Sequence, residues 1–103
     1  MKEFDIFVPL SFNDGSPIPA KLFQKLQTRL LNRFDGLTFF PQPNRGFWKM
    51  GEVTYRDEIV IYRVLTEEGA MARRWLSSLK KWMKAEFQQE EILIVQRIVG
   101  LIP

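Results

Sequence analysis

A two-layer α+β sandwich is the fold class this sequence predicts, and three observations carry it. Period-2 alternation of apolar residues marks extended segments near residues 4–10, 53–65 and 92–99. Two other stretches, 19–34 and 66–87, place apolar residues at steps of three and four, as one buried helical face requires. Short turns bearing glycine or proline separate these segments, at spacings that suit loops within one domain.

The first strand alternates Phe4, Ile6, Val8 and Leu10 with Asp5, Phe7 and Pro9, and Pro9, which has no N–H to donate, should end its regular pairing. Asn13-Asp14-Gly15-Ser16-Pro17 then supplies turn chemistry: short polar side chains that bond their own backbone, and a glycine free to take positive φ. Pro19 is expected to open the first helix, since its missing N–H is an orphan in a first turn anyway. Leu22, Phe23, Leu26, Leu30 and Phe34 form that helix's stripe, and Gly36 stands where a left-handed C-terminal cap is wanted. Leu37–Phe40 resumes as a strand, Pro41–Arg45 interrupts it, and Gly46–Met50 is its continuation or a separate short strand. Gly51-Glu52 turns the chain into the longest extended stretch, Val53–Leu65, rich in β-branched and aromatic residues. Thr66 is expected to cap the second helix, with Glu67 and Glu68 at the positive end of its dipole. Met71, Trp75, Leu79, Trp82/Met83 and Phe87 mark its buried stripe, and Ile92–Val99 is the last strand.

Strand, helix, strand, strand, helix, strand is the split βαβ order of ferredoxin-like folds. The prediction is therefore a single ferredoxin-like βαββαβ domain over residues 1–103, an antiparallel sheet with both helices on one face. The first and third strands should be central, and we expect those two to run parallel to each other. If Phe4, Ile6, Val8, Val60, Tyr62, Val64, Ile92, Ile94 and Ile98 face the helices, alternation sends the intervening residues to the open side. That set is Asp5, Phe7, Tyr55, Asp57, Ile59, Ile61, Arg63, Leu93, Val95, Arg97 and Val99. Its aliphatic and aromatic members form a patch that no element of the chain is left to cover. At about 25 cal/mol per Å² of apolar area, a partner surface would gain several kcal/mol there.

Composition narrows the chemistry. With 46% apolar and 14% aromatic residues the chain can build a core, which argues against a disordered tail. It has no cysteine and no histidine. Disulfide frameworks, thiolate nucleophiles, imidazole-ligated metals and Ser–His or Cys–His triads are thereby excluded. A net charge of +3 is too small to prescribe an acidic partner. The acidic residues near Met1 and the lack of a long apolar run predict no signal or membrane segment, hence a soluble, cytoplasmic protein.

Three groups could carry function, each beside a plainer reading. Asp5, Arg63 and Arg97 share the open face on neighbouring strands, so a carboxylate between two guanidiniums could hold a small anion, or be a cross-strand ion pair. Tyr55 and Asp57, two apart on one face, could serve as acid and base, whereas Asp57-Glu58 equally suits a bulge or an edge entering solvent. Lys21, Lys25, Arg29 and Arg33 repeat every four residues on the first helix, and Arg73, Arg74, Lys80, Lys81 and Lys84 lie on the second. Together they make a positive field toward phosphates or acidic proteins, or simply a solvated face.

Two local patterns add resemblances. Ile6-Phe7-Val8-Pro9-Leu10 and Arg45-Gly46-Phe47 are similar to the first- and third-strand motifs of RNA-recognition-motif domains, which implies that Phe7 and Phe47 stack on exposed bases. Trp48 and Lys49 depart from that pattern. Asn13-Asp14-Gly15, Gly36-Leu37-Thr38, Gly46-Phe47-Trp48 and Gly51 resemble a group of small uncharacterised bacterial proteins, and this implies architecture without an activity.

The leading reading is a small binding or interaction protein that pairs as a homodimer through its open sheet face. A pocket between sheets, or beneath the Pro41–Gly46 loop with Arg45, Phe47 and Trp48, would take a small ligand. No catalytic residue, cofactor, metal or membrane partner is assigned. Two alternatives stand beside it: a single-stranded RNA module, and a small isomerase or lyase independent of His and Cys, using Tyr55 and Asp57 in a dimer cavity.

Overall fold

The computed structural model describes all 103 residues, as β1 (Lys2–Pro9), α1 (Ala20–Phe34), β2 (Thr38–Met50), β3 (Val53–Thr66), α2 (Ala70–Glu86) and β4 (Ile94–Ile98). The four strands form one sheet in the order β2-β3-β1-β4, and every neighbouring pair is antiparallel. The ferredoxin-like βαββαβ arrangement is thus present. The expectation that the first and third strands run parallel is corrected: Phe4 lies opposite Val64 and Val8 opposite Val60 in an antiparallel ladder. The tight turn at Gly51-Glu52 reverses the chain after β2, so β3 must enter the sheet against β1.

Alternation decides what is buried. Phe4, Ile6 and Val8 of β1 and Val60, Tyr62 and Val64 of β3 share one face and pack against Leu26, Leu30 and Phe34 of α1 and Leu76, Leu79 and Met83 of α2. Ile92 and Phe87 join the same core. Phe39, opposite Tyr62 on β2, stacks on that ring at 4.5 Å between centroids, and Gln27 Nε2 donates to the Tyr62 hydroxyl at 3.2 Å. No helix is long and apolar enough to cross a membrane.

Several local expectations change. Pro19 is the residue before α1 and not its first turn, with extended angles. The left-handed residue closing α1 is Asp35 (φ 59°) and not Gly36, because the helix stops one residue earlier and a short Asp side chain tolerates that conformation. Thr66 does not cap α2: its hydroxyl accepts from the Glu68 N–H in a separate turn, and the helix begins only at Ala70, with no acid in its first turn. The buried stripe of α2 runs through Ala72 and Leu76, which leaves Met71 64% exposed and Trp75 on the flank of the core. Ile98 keeps to the helix side of the sheet, opposite Lys2, yet is 76% exposed because nothing packs over that end of β4.

β2 is one strand, not two. Between Phe40 (opposite Ile61) and Asn44 (opposite Ile59), three β2 residues face the single residue Val60, a bulge that contains both Pro41 and Pro43. An edge strand can hold prolines in such an irregularity because their missing N–H groups would otherwise point to solvent. Past the bulge, Asn44–Met50 and Val53–Ile59 continue as a two-stranded ribbon beyond the end of β1, which stops at Pro9 opposite Ile59. This arm goes with a molecule 45 × 30 × 25 Å in extent.

Candidate functional site

The register places nine of the eleven predicted open-face residues on one side of the sheet, and the other two, Leu93 and Val99, flank β4 just outside its paired residues. Asp5 lies between Arg63 on β3 and Val95 on β4, and Phe7 lies opposite Ile61. Ile59 stands across from Pro9 and from Asn44, and Arg97 across from Glu3. Phe40 of β2, opposite Ile61, adds an aromatic that the reading of β2 as interrupted had hidden. Phe7, Phe40, Ile59 and Ile61 therefore border a charged centre on its arm side, and Val95 flanks it on β4.

That centre is built from one carboxylate and two guanidiniums. Arg63 Nε donates to Asp5 Oδ1 at 2.7 Å and Arg63 Nη2 to Oδ2 at 3.0 Å, while Arg97 Nη1 donates to Oδ2 at 2.8 Å. Glu3, two residues back on β1 and so on the same face, completes it: Oε1 is 3.2 Å from Arg63 Nε and Oε2 accepts from Arg97 Nη1 at 3.4 Å. Sequence reasoning missed Glu3, although the period-2 rule that selected Asp5 also selects it. Two acids and two bases make the cluster neutral. Asp5 is only 2% exposed on a face with no covering element, because the two arginine side chains lie over it. The hydrogen bond from Arg63 holds the Asp5 carboxyl below its ordinary pKa, burial opposes this, and Arg97 reinforces it; the same contact raises Arg63. Arg63 also sits 4.9 Å above the Phe40 ring, which fixes its guanidinium plane.

Tyr55 and Asp57 share the open face but stand on the arm. Tyr55, opposite Trp48, is 51% exposed, and Asp57 is opposite Gly46. Asp57 and Arg63 are six positions apart along the strand, about 20 Å at the usual rise, so acid–base pair and charged cluster do not meet within one chain. Pairing continues through Asp57 and Glu58, so the polar interruption of β3 marks its departure from β1 into solvent, while the bulge lies across the ladder on β2.

Arg45, Phe47 and Trp48 stand on a strand and not on a loop. The structure has strand where a loop was expected, and the ladder sends Arg45 and Phe47 to the opposite side of the ribbon from Trp48. The same parity separates Phe47 from Phe7: Phe47 faces Arg56 and Phe7 faces Ile61, an odd number of residues apart along β3, so the two rings point to opposite sides. Two surface depressions lie on the helical layer. One of about 480 Å³ is lined by Lys21, Gln24, Lys25, Thr28, Arg29 and Trp82, and one of about 230 Å³ lies between α2 and β4.

No protein-family model matches the chain, and no curated protein does. Solved structures do. A phage SAM lyase in complex with S-methyl-5′-thioadenosine superposes with a TM-score of 0.68 at 16% identity, over 93% of this chain and 79% of the lyase. A point mutant of CutA1 from Pyrococcus horikoshii OT3 superposes with a TM-score of 0.62 at 15% identity, over 100% of this chain and 87% of its own. At these identities the likeness establishes a shared fold, and it extends over nearly the whole molecule.

Proposed function

We propose that this chain is a small binding protein of the cytoplasm that pairs with a second copy of itself through the open face of the sheet, as a homodimer. One observation carries the reading: Phe7, Phe40, Ile59, Ile61 and Val95 border a neutral ionic cluster on a face that no element of the chain covers. The arm extends the same surface, with Trp48, Met50, Val53 and Tyr55 exposed on that side. A ribbon of two strands is marginal in water by itself, and contact with a second molecule would supply the burial it lacks. A small ligand would sit in the space between the two sheets. Light scattering at micromolar concentration should give twice the 12.2 kDa chain mass, and Ile61→Glu or Val95→Glu should return it to the monomer value. A wild-type protein that scatters as a monomer overturns the proposal.

A second reading is favoured by the lyase that shares the fold over 93% of this chain. Without His or Cys, proton transfer would fall to side chains such as Tyr55 and Asp57, completed by the partner copy. Incubation with SAM, followed by chromatography for S-methyl-5′-thioadenosine, tests it. No product, together with no thermal shift on adding S-methyl-5′-thioadenosine, rules it out.

A further inference from the structure

We infer that the outer face of the helical layer, across the molecule from the open sheet face, binds single-stranded nucleic acid. Charge is strongly segregated. α1 carries Lys21, Lys25, Arg29 and Arg33 with no acid, and α2 carries five cations and only Glu86. The two helices thus hold +8 in a chain whose net charge is +3, which leaves −5 on the strands and loops. The modest overall charge conceals this division.

Few of these cations are neutralised. Arg33 pairs with Glu68 at 2.7 Å and Lys80 with Glu91 at 2.8 Å, whereas Lys21, Lys25, Arg29, Arg74, Lys81 and Lys84 have no carboxylate within ion-pair reach. On α1 the free cations recur every fourth residue, about 6 Å apart along the axis, so they form a line along one side of the helix. Along that line lies the depression of about 480 Å³, whose wall holds Lys21, Lys25, Arg29, Gln24 and Thr28 and no acid. Its one large apolar side chain is Trp82 of α2, with the Arg29 guanidinium 4.7 Å above the ring. A planar cation layered on an indole offers a flat surface to an unpaired base, and the flanking lysines offer donors to the phosphates on either side.

This combination favours a nucleic acid over an acidic protein, whose carboxylates would use the lysines but not the stacked plane. It favours a strand over a free nucleotide, because the depression is broad and shallow and attraction must be summed over several phosphates. Single-stranded rather than duplex nucleic acid is implied because only unpaired bases present their faces. The inference does not depend on self-association.

The test is fluorescence anisotropy of a labelled oligothymidylate of about 20 nucleotides across a salt series. Three or four phosphate contacts predict a log–log salt slope of about −2 to −3. Lys25→Glu with Arg29→Glu should weaken binding at least about tenfold, as should Lys21→Glu with Lys25→Glu, whose side chains are exposed and unpaired. Tryptophan emission should be quenched on binding, and Trp82→Phe should abolish that quenching. No anisotropy change at low salt, unchanged affinity in both folded double variants, or competition by polyglutamate equal to that of unlabelled oligothymidylate would each overturn the inference.

Discussion

Replacing Asp5 with Asn keeps the shape of the side chain and removes the charge that two arginines share. Three charged hydrogen bonds of 2.7, 3.0 and 2.8 Å are weakened together. Hydrogen bonds to charged groups contribute roughly 1.5–3 kcal/mol each when buried, and exposed ion pairs about 0–1 kcal/mol. The structure lies between these limits: the Asp5 side chain is 3% exposed, but those of Arg63 and Arg97 are 33% and 47% exposed. Water can re-solvate much of the freed guanidinium surface, so the expected loss is about 2–3 kcal/mol, or roughly 8–20 °C in Tm for a domain of this size. Urea unfolding followed by tryptophan emission, at one fixed protein concentration, measures it. The pH dependence supplies a second reading of the same cause. Because the folded-state pKa of Asp5 lies below its unfolded value of about 3.9, its stabilisation is fully present above that value and fades as pH falls through the folded pKa. The stability gap between wild type and Asp5→Asn should therefore hold at neutral pH and narrow steadily below about pH 4. A neutral-pH loss under about 0.5 kcal/mol, or a gap that stays constant into acid, would show the cluster to be an ordinary solvated ion pair.

Leu79→Ala, in a side chain with no solvent exposure at the centre of the core, should cost about 2–4 kcal/mol, measured in the same urea experiment. Asp35→Gly should stabilise the protein by about 0.5–1 kcal/mol, since Asp35 holds φ 59° and makes no ion pair to lose; a decrease would point to an unrecognised role for its carboxylate.

What could be read from the sequence follows from which physical rule was local. The parity of β1 and β3 depends only on alternate side chains meeting core or water, so the sequence alone places Ile6, Val8, Val60 and Tyr62 on the buried face they occupy. Parity and strand order put Asp5, Arg63 and Arg97 on one face of neighbouring strands, whereas the direct meeting of Asp5 with Arg63 follows from the antiparallel register, which an expectation of parallel strands does not contain. Helix starts were less legible. Thr66, Glu67 and Glu68 have good capping chemistry, but Gly69 intervenes and the chain uses Thr66 for a turn before the helix begins. The continuity of β2 was hidden by Pro41 and Pro43, which ordinarily break strands and here occupy an edge bulge. Misreading that segment also concealed Phe40 beside Arg63 and the length of the arm. Both are long-range consequences of pairing, and no window of sequence contains them.

The cluster also constrains what can cover it. Arg63 donates to carboxylates through Nε and Nη2, and Arg97 through Nη1, which leaves Arg63 Nη1 and Arg97 Nε and Nη2 to water. A wholly apolar partner surface would strip that water at roughly 1–3 kcal/mol for each donor left unsatisfied, offsetting much of the gain from Phe7, Ile61 and Val95. A productive partner must therefore place acceptors over the arginines and aliphatic groups over the apron. This chain carries such acceptors on the same face: the Asp57 carboxylate and the Tyr55 hydroxyl stand on the arm, about 20 and 26 Å along β3 from Arg63. In the proposed homodimer, a two-fold axis midway between cluster and arm would lay the arm of each copy over the cluster of the other, twice by symmetry. The pairing that satisfies the arginines is thus the one that unites Tyr55 and Asp57 with the charged centre, and a ligand held between the sheets would meet both groups only there.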